Sequence, residues 1–205
     1  MLCAAALAQL ALPSGAVAQT ADALTEYRNG AFNAAIEICH REIALQPDNL
    51  ESYVVLCWSL LRLGRYPEAA AGAEKAAALN RYDVRVIEIQ GELDYYRGRN
   101  DSALLHFQEY VNLAPEGTRI ETVYYFIGEI YIRLGRFRHA DIALSTALHY
   151  VPGNPRWWTR LAYAREMSGD AQAAAQAYKT ALDLDGSISD AARGLERQRA
   201  ALERR

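Results

Sequence analysis

Four histidines (His40, His106, His139 and His149) and three cysteines (Cys3, Cys39 and Cys57) are the side chains best suited to metal binding or nucleophilic chemistry. Their spacing assembles neither. Zinc sites built from sequence-local ligands place two histidines one helical turn apart, as in HExxH, or pair cysteines as CxxC, and the chain carries neither pattern. It has no GxSxG elbow to present a serine and no glycine-rich loop to cradle a phosphate. His139 and Asp141 stand two residues apart, which joins ligands on a strand and parts them on a helix. The histidines fall at unrelated offsets and are expected at the surface. Because the 25 acidic residues are scattered, no carboxylate pair for acid–base work is marked out. The sequence therefore predicts a non-enzyme with no catalytic residue, no cofactor and no metal.

The elements that would carry any site are announced by a recurrence. Gly30, Gly64, Gly98, Gly135 and Gly169 fall 34, 34, 37 and 34 residues apart, and Ala35, Ala69, Ala103, Ala140 and Ala174 each follow five later. A unit repeated at that period is a pair of helices stacked on copies of itself, so the expected product is a shaped surface. Glycine supplies the left-handed residue that ends the first helix of each pair, and alanine lets the second helix approach closely. Nine, twelve and fifteen residues after each glycine come mostly apolar side chains, including Cys39, Phe107, Leu144 and Tyr178, then Ala76, Tyr110 and Ala147, then Leu45, Leu79, Leu113, Tyr150 and Leu184. These offsets predict one apolar stripe on the second helix. Pro47, Pro115 and Pro152 end three copies where proline cannot continue a helix, and Arg81 and Gly186 take that place in two others.

The repeat resembles the tetratricopeptide family most clearly in its fourth copy, where Tyr124, Ile127, Gly128, Tyr131, Gly135, Phe137, Ala140, Leu144, Ala147 and Pro152 stand at the family's spacing. The second copy keeps Tyr53, Leu56, Leu60, Gly64, Tyr66, Ala69 and Ala76; the fifth keeps Trp158, Leu161, Ala162, Gly169, Ala174, Tyr178 and Ala181. The resemblance implies an all-α, right-handed α-solenoid: five repeats over residues 19–188, the first degenerate, then a capping helix over 189–205 that shields the last repeat. Several positions depart from the family's pattern. Glu42 replaces a small residue, Asp94 and Arg165 replace a tyrosine or leucine, Thr118 to Ile120 are inserted before the fourth copy, and Asp22 and Glu26 fall where the first helix should be apolar.

In such arrays the first helix of each pair lines a concave groove, and ligand contacts come from the second, fifth, ninth, twelfth and thirteenth places of the repeat. The resemblance thereby implies a groove of Trp58 and Arg62, then Arg85, Glu88, Glu92 and Tyr95, then Tyr125, Glu129 and Arg133, then Tyr163 and Glu166. Tyrosine and tryptophan offer large, stiff contact area, and the glutamates are expected to orient a partner's basic side chains. The lysine and asparagine pattern by which chaperone-binding members grip a C-terminal carboxylate is absent, since Val54, Trp58, Glu88 and Glu92 hold those places. The expected function is a non-enzymatic exported scaffold or adaptor that takes a protein or peptide in the groove. The alternative is a small-molecule or lipid carrier of the cell envelope, which requires an apolar pocket of about 300 Å³ or more.

A net charge of −3, with a pI near 5.8 and charges interspersed, predicts no nucleic-acid partner. Hydrophobic residues, 51% of the total, suffice for a continuous core. The stretch 189–205 sets Ala191, Ala192, Leu195 and Leu202 on a polar background with five arginines, which reads as a solvated cap and leaves peripheral membrane association and self-association as alternatives. At the other end, apolar Ala4 to Leu12, then Pro13-Ser14-Gly15 and Ala16-Val17-Ala18, read as a secretory signal over residues 1–18 cut after Ala18, although no lysine or arginine precedes the apolar run. The expected location is periplasmic or secreted, with the cytoplasm as the alternative. Cys39 and Cys57 lie on apolar stripes of neighbouring helices, where buried thiols are favoured over a disulfide.

Overall fold

A computed structural model describes residues 22–204, so the expected signal segment and Cys3 lie outside the described residues. Eleven helices follow one another with no strand among the described residues: α1 (Ala23–Arg28), α2 (Phe32–Leu45), α3 (Leu50–Arg62), α4 (Tyr66–Leu79), α5 (Val84–Tyr96), α6 (Asn100–Leu113), α7 (Ile120–Arg133), α8 (Phe137–Tyr150), α9 (Pro155–Met167), α10 (Ala171–Leu184) and α11 (Ser189–Glu203). The fold is the expected all-α tetratricopeptide solenoid.

Each pair turns in the same way. All five recurring glycines have positive φ, from 67° at Gly135 to 86° at Gly169, and no other residue type does among those described. At Gly64 the two closing bonds run from Gly64 N–H to the Leu61 carbonyl (3.1 Å) and from Arg65 N–H to the Leu60 carbonyl (2.9 Å), and the other four glycines repeat the arrangement. This motif satisfies carbonyls that the helix end would leave bare, and a side chain in its left-handed position would be strained. Helix starts are fixed by short polar side chains: Asn49 accepts from Ser52 N–H, Asp83 from Arg85 N–H, Asn154 from Arg156 N–H, and Asp170 from Ala173 N–H.

The five alanines that follow the glycines are wholly buried, as their role in close helix crossing requires. Ala76, Tyr110, Ala147 and Ala181 are buried beneath the next pair. The outermost members of the expected stripe are not. Leu45 is 88% exposed, and Leu79, Leu113, Tyr150 and Leu184 are also exposed, because the second helix rotates its last residue out of the stack before the chain turns back. The expected stripe is thus one turn too long.

The departures have partners. Glu42 accepts a hydrogen bond from Ser52 Oγ at 2.6 Å, Asp94 pairs with Arg99 at 2.7 Å, and Arg165 pairs with Asp141 at 3.0 Å. Asp22 is the N-cap of α1, accepting from Thr25 N–H at 3.1 Å, so the residue that spoiled an apolar pattern starts the helix instead. Helix α11 packs against α10 and α9 as α9 packs against α8 and α7. A side chain at Gly194 would meet the Tyr178 ring at 2.2 Å, so glycine is needed for that approach. The cap therefore occupies the place of the first helix of a further pair.

Candidate functional site

Helices α1, α3, α5, α7 and α9 form the inner layer, and their facing side chains make the groove. The N-terminal part centres on α5. Glu88 and Glu92, one turn apart and 0% and 7% exposed, both reach the guanidinium of Arg119, whose Nε lies 2.6 Å from Glu88 Oε1 and whose Nη2 lies 2.8 Å from Glu92 Oε1. Trp58 covers them, donating its indole N–H to Glu88 Oε2 at 3.1 Å, with the Arg119 guanidinium and the Tyr27 ring each 5.7 Å from its ring. Burial first, then the neighbouring Glu88, pushes the Glu92 carboxyl well above the ordinary glutamate value. Burial works against the Arg119 charge, but the two carboxylates outweigh it and hold the group protonated.

Arg119 sits in the insertion Thr118 to Ile120 and is the N-cap of α7. Its own N–H donates to Tyr110 Oη at 3.2 Å, and a side chain at neighbouring Gly117 would meet that oxygen at 2.4 Å. The inserted residues are a fitted turn that delivers an arginine backwards into the preceding repeat.

Further along, Arg160 of α9 clamps Glu129 of α7 through Nε and Nη2 at 2.6 and 3.0 Å. Then Arg197 of α11 clamps Glu166 of α9 at 2.7 and 2.8 Å, where Tyr178 Oη also donates at 2.6 Å. The Arg197 hydrogen bonds hold the Glu166 carboxyl below its ordinary range. In each of these three links the arginine follows its glutamate by 31 residues. A fourth link, Arg85 to Glu51 with Asp83 beside it, spans α5 and α3 with a separation of 34. Every junction of the inner layer from α3 to α11 is crossed by an arginine–glutamate contact.

A seam of rings runs alongside this ladder. Tyr66 stacks on Tyr96 at 4.6 Å, Tyr96 and Tyr95 meet Phe126 edge-on, and Tyr125 stacks on Trp157 at 4.9 Å. Burial, followed by Glu129, raises the Tyr125 hydroxyl above its ordinary value. Arg133 lies 3.6 Å over the Tyr95 ring and donates to the Tyr95 carbonyl at 2.8 Å. Arg62 lies over Phe32, and Tyr163 meets Phe137 edge-on.

The structure brings all eleven expected residues to the inner layer but sorts them by depth. Glu88, Glu92, Glu129 and Tyr95 are buried, so these three glutamates do not face a partner's basic groups as expected: their carboxylates contact Arg119 and Arg160 of the same chain. Trp58, Tyr125, Tyr163, Arg85 and Glu166 are half-buried, and Arg62 and Arg133 are exposed. Arg119, Arg160, Arg197 and Trp157 are the residues that sequence reasoning missed. The recurring glutamate-to-arginine interval of 31 residues was the available signal.

Outside the groove, His106 is half-buried, not at the surface as expected, with Nδ1 3.2 Å from Asp94 Oδ2 but not aligned for a hydrogen bond. Cys39 and Cys57 are free and buried, and burial pushes both thiols up to about 12, away from the thiolate form. No cluster of three metal-ligating side chains and no helix long and apolar enough to cross a membrane occurs among the described residues. At the C-terminal mouth of the groove an open, largely polar cavity of about 460 Å³ is lined by Tyr125, Arg156, Thr159, Arg160, Asp185 and Ser187, among others.

Residues 127–191 match the family model described as tetratricopeptide repeat. Over 91 residues, 40% of this chain, the sequence is 30% identical to the DnaJ homolog subfamily C member 7 homolog of Schizosaccharomyces pombe, and it spans 19% of that protein's length. In structure the chain is similar to a chain of the APC/C hetero-tetramer Cut9–Hcn1 (TM-score 0.79, 19% identity, 86% of this chain and 35% of that one). It is also similar to PilF of Pseudomonas aeruginosa (TM-score 0.75, 16% identity, 88% and 81%) and to MamA of Desulfovibrio magneticus RS-1 (TM-score 0.66, 18% identity, 82% and 93%). At these identities the likeness is one of fold.

Proposed function

We propose that this tetratricopeptide array is a non-enzymatic scaffold that takes an extended segment of a partner protein along its inner groove. Tetratricopeptide proteins generally mediate protein–protein interactions, and a chain of the same fold belongs to the Cut9–Hcn1 hetero-tetramer. The observation that carries the reading is the arginine–glutamate ladder: it fixes the spacing of the inner helices and so holds a groove ready before a partner arrives. A rigid groove with half-buried rings and exposed polar heads suits peptide recognition. The polar, solvent-open cavity at its mouth favours a peptide over an enclosed lipid or small molecule.

Photoreactive residues placed at Arg62 and Thr159 in the groove, and at Leu105 and Ile142 on the outer helices, test this in the native host. Protein adducts from the groove positions alone are expected. Adducts only from the outer positions sink the proposal. Export is proposed on the apolar segment Ala4 to Leu12 and Ala16-Val17-Ala18. Its check is sequencing of the native N-terminus: a chain starting at Gln19 outside the cytoplasm is expected, and a chain retaining Met1 inside it would refute export.

A further inference from the structure

The last residues of α3, α5, α7 and α9 are Arg62, Tyr96, Arg133 and Met167, and all four are exposed. They form a row along one edge of the groove, one per repeat. Its first three members alternate cation, ring and cation. Arg62 lies 5.5 Å from the Phe32 ring and Arg133 3.6 Å from the Tyr95 ring, so both guanidinium groups are braced on aromatic faces. Tyr96, 42% exposed, stacks on Tyr66 between them. Among the described residues neither arginine has a carboxylate within ion-pair distance.

That lack of partners separates them from the ladder arginines. Arg85, Arg119, Arg160 and Arg197 are matched by Glu51, Glu88 with Glu92, Glu129 and Glu166. The edge made by the helix starts carries Glu51, Asp83 and Glu121 together with Arg85 and Arg119, and Arg85 pairs with both Glu51 and Asp83, so charges of both signs meet there. The ordinary reason for an arginine in a last turn is the helix dipole, worth about 0.3–1 kcal/mol. That explains a basic residue there, but not the two aromatic braces or the ring held between them.

Resting on the scaffold reading above, we infer that this edge recognises an acidic extended peptide, two of whose carboxylates engage Arg62 and Arg133 while an apolar or aromatic side chain between them covers Tyr96. Neighbouring inner helices lie about 10 Å apart. A chain in the polyproline II conformation advances about 3.1 Å per residue with three residues per turn, so every third side chain returns to the same face. The matching segment therefore reads acidic, two residues, aromatic, two residues, acidic. Guanidinium groups already held in place lose little freedom on meeting a carboxylate, and the pairing is charge-assisted and directional.

Fluorescence anisotropy with three labelled synthetic peptides tests the assignment. One carries Glu, two spacers, Phe, two spacers and Glu; the others replace both Glu by Gln or by Lys. The acidic peptide is expected to bind at least tenfold tighter than the Gln peptide, with the Lys peptide weakest and the preference shrinking with added salt. Arg62→Gln and Arg133→Gln should each remove most of that preference, and Tyr96→Ala should weaken all three peptides, with thermal midpoints checked for each variant. Equal binding of the acidic and Gln peptides, or an unchanged preference in both arginine variants, overturns the inference. Tighter binding of a labelled oligouridylate than of the acidic peptide also overturns it and makes nucleic acid the occupant. If no peptide binds while groove crosslinking succeeds, this inference fails and the scaffold reading stands. If both are negative, both fail.

Discussion

The α5–α7 and α7–α9 junctions are built from the same residue types in different proportions. At the first, two carboxylates, Glu88 and Glu92, share the guanidinium of Arg119 under the Trp58 indole. At the second, Glu129, as buried as Glu92, meets Arg160 one to one in a bidentate clamp. Arg119 is 27% exposed, and Arg160 is more open to solvent. A one-to-one clamp is balanced as it stands, whereas two carboxylates on one cation leave an excess negative charge in a dry place. The first junction must therefore hold a proton on Glu92 or bear the repulsion, and its rise in proton affinity says that it tends to hold the proton. Position along the array thus decides how many carboxylates a groove arginine must serve.

The largest effect expected from breaking this contrast follows Arg119→Met, which leaves two buried carboxylates without a cation. Stripping one partner from a buried pair costs about 3–5 kcal/mol. At roughly 2–4 °C per kcal/mol for a chain of this size, the thermal midpoint should fall by about 10 °C. Arg160→Met should cost less, about half as much, since it strands one buried carboxylate instead of two. Both are read by thermal unfolding followed by circular dichroism, and equal losses would erase the distinction between the junctions.

A smaller effect of opposite sign is expected for Glu92→Gln. The folded-state affinity of Glu92 for a proton is raised, so the stability linked to that proton is fully present below the ordinary value of 4.5 and is lost as pH climbs through the raised folded value. The Gln variant mimics the protonated form at every pH. It should match the parent near pH 4 and become the more stable of the two as pH rises to 8, and a gap that widens on acidification would contradict the assignment. Smallest of all, Arg62→Gln should shift stability by less than about 0.5 kcal/mol, because that side chain is exposed and outside the ladder.

The fold was legible because its determinants are local and repeat: a glycine at each turn, an alanine five residues on, short polar caps at the helix starts. Membership of the inner layer was legible too, which is why Trp58, Tyr125 and Tyr163 were found. Depth was not. Whether Glu88 faces a partner or a neighbouring helix depends on Arg119, which lies in a different repeat and within an insertion that looked like a flaw in the pattern. The exposed row from Leu45 to Leu184 misled for a similar reason, since helical periodicity gives the direction of a side chain but not where the next element stops covering it. Asp22, Glu42, Asp94 and Arg165 broke the apolar pattern; Asp22 is accounted for by local capping of α1, and Glu42, Asp94 and Arg165 by polar partners across a turn or on a neighbouring helix.

The most direct test is a ¹³C NMR titration of the glutamate side-chain carboxyls in the intact chain, assigned through Glu92→Gln and Glu88→Gln. A Glu92 resonance that titrates well above pH 4.5, and that returns toward 4.5 on unfolding, is the predicted result. A Glu92 midpoint at or below 4.5 in the folded chain would show a solvated, evenly balanced site, and would contradict both the buried two-to-one junction and the view that the groove's acids are held within the protein.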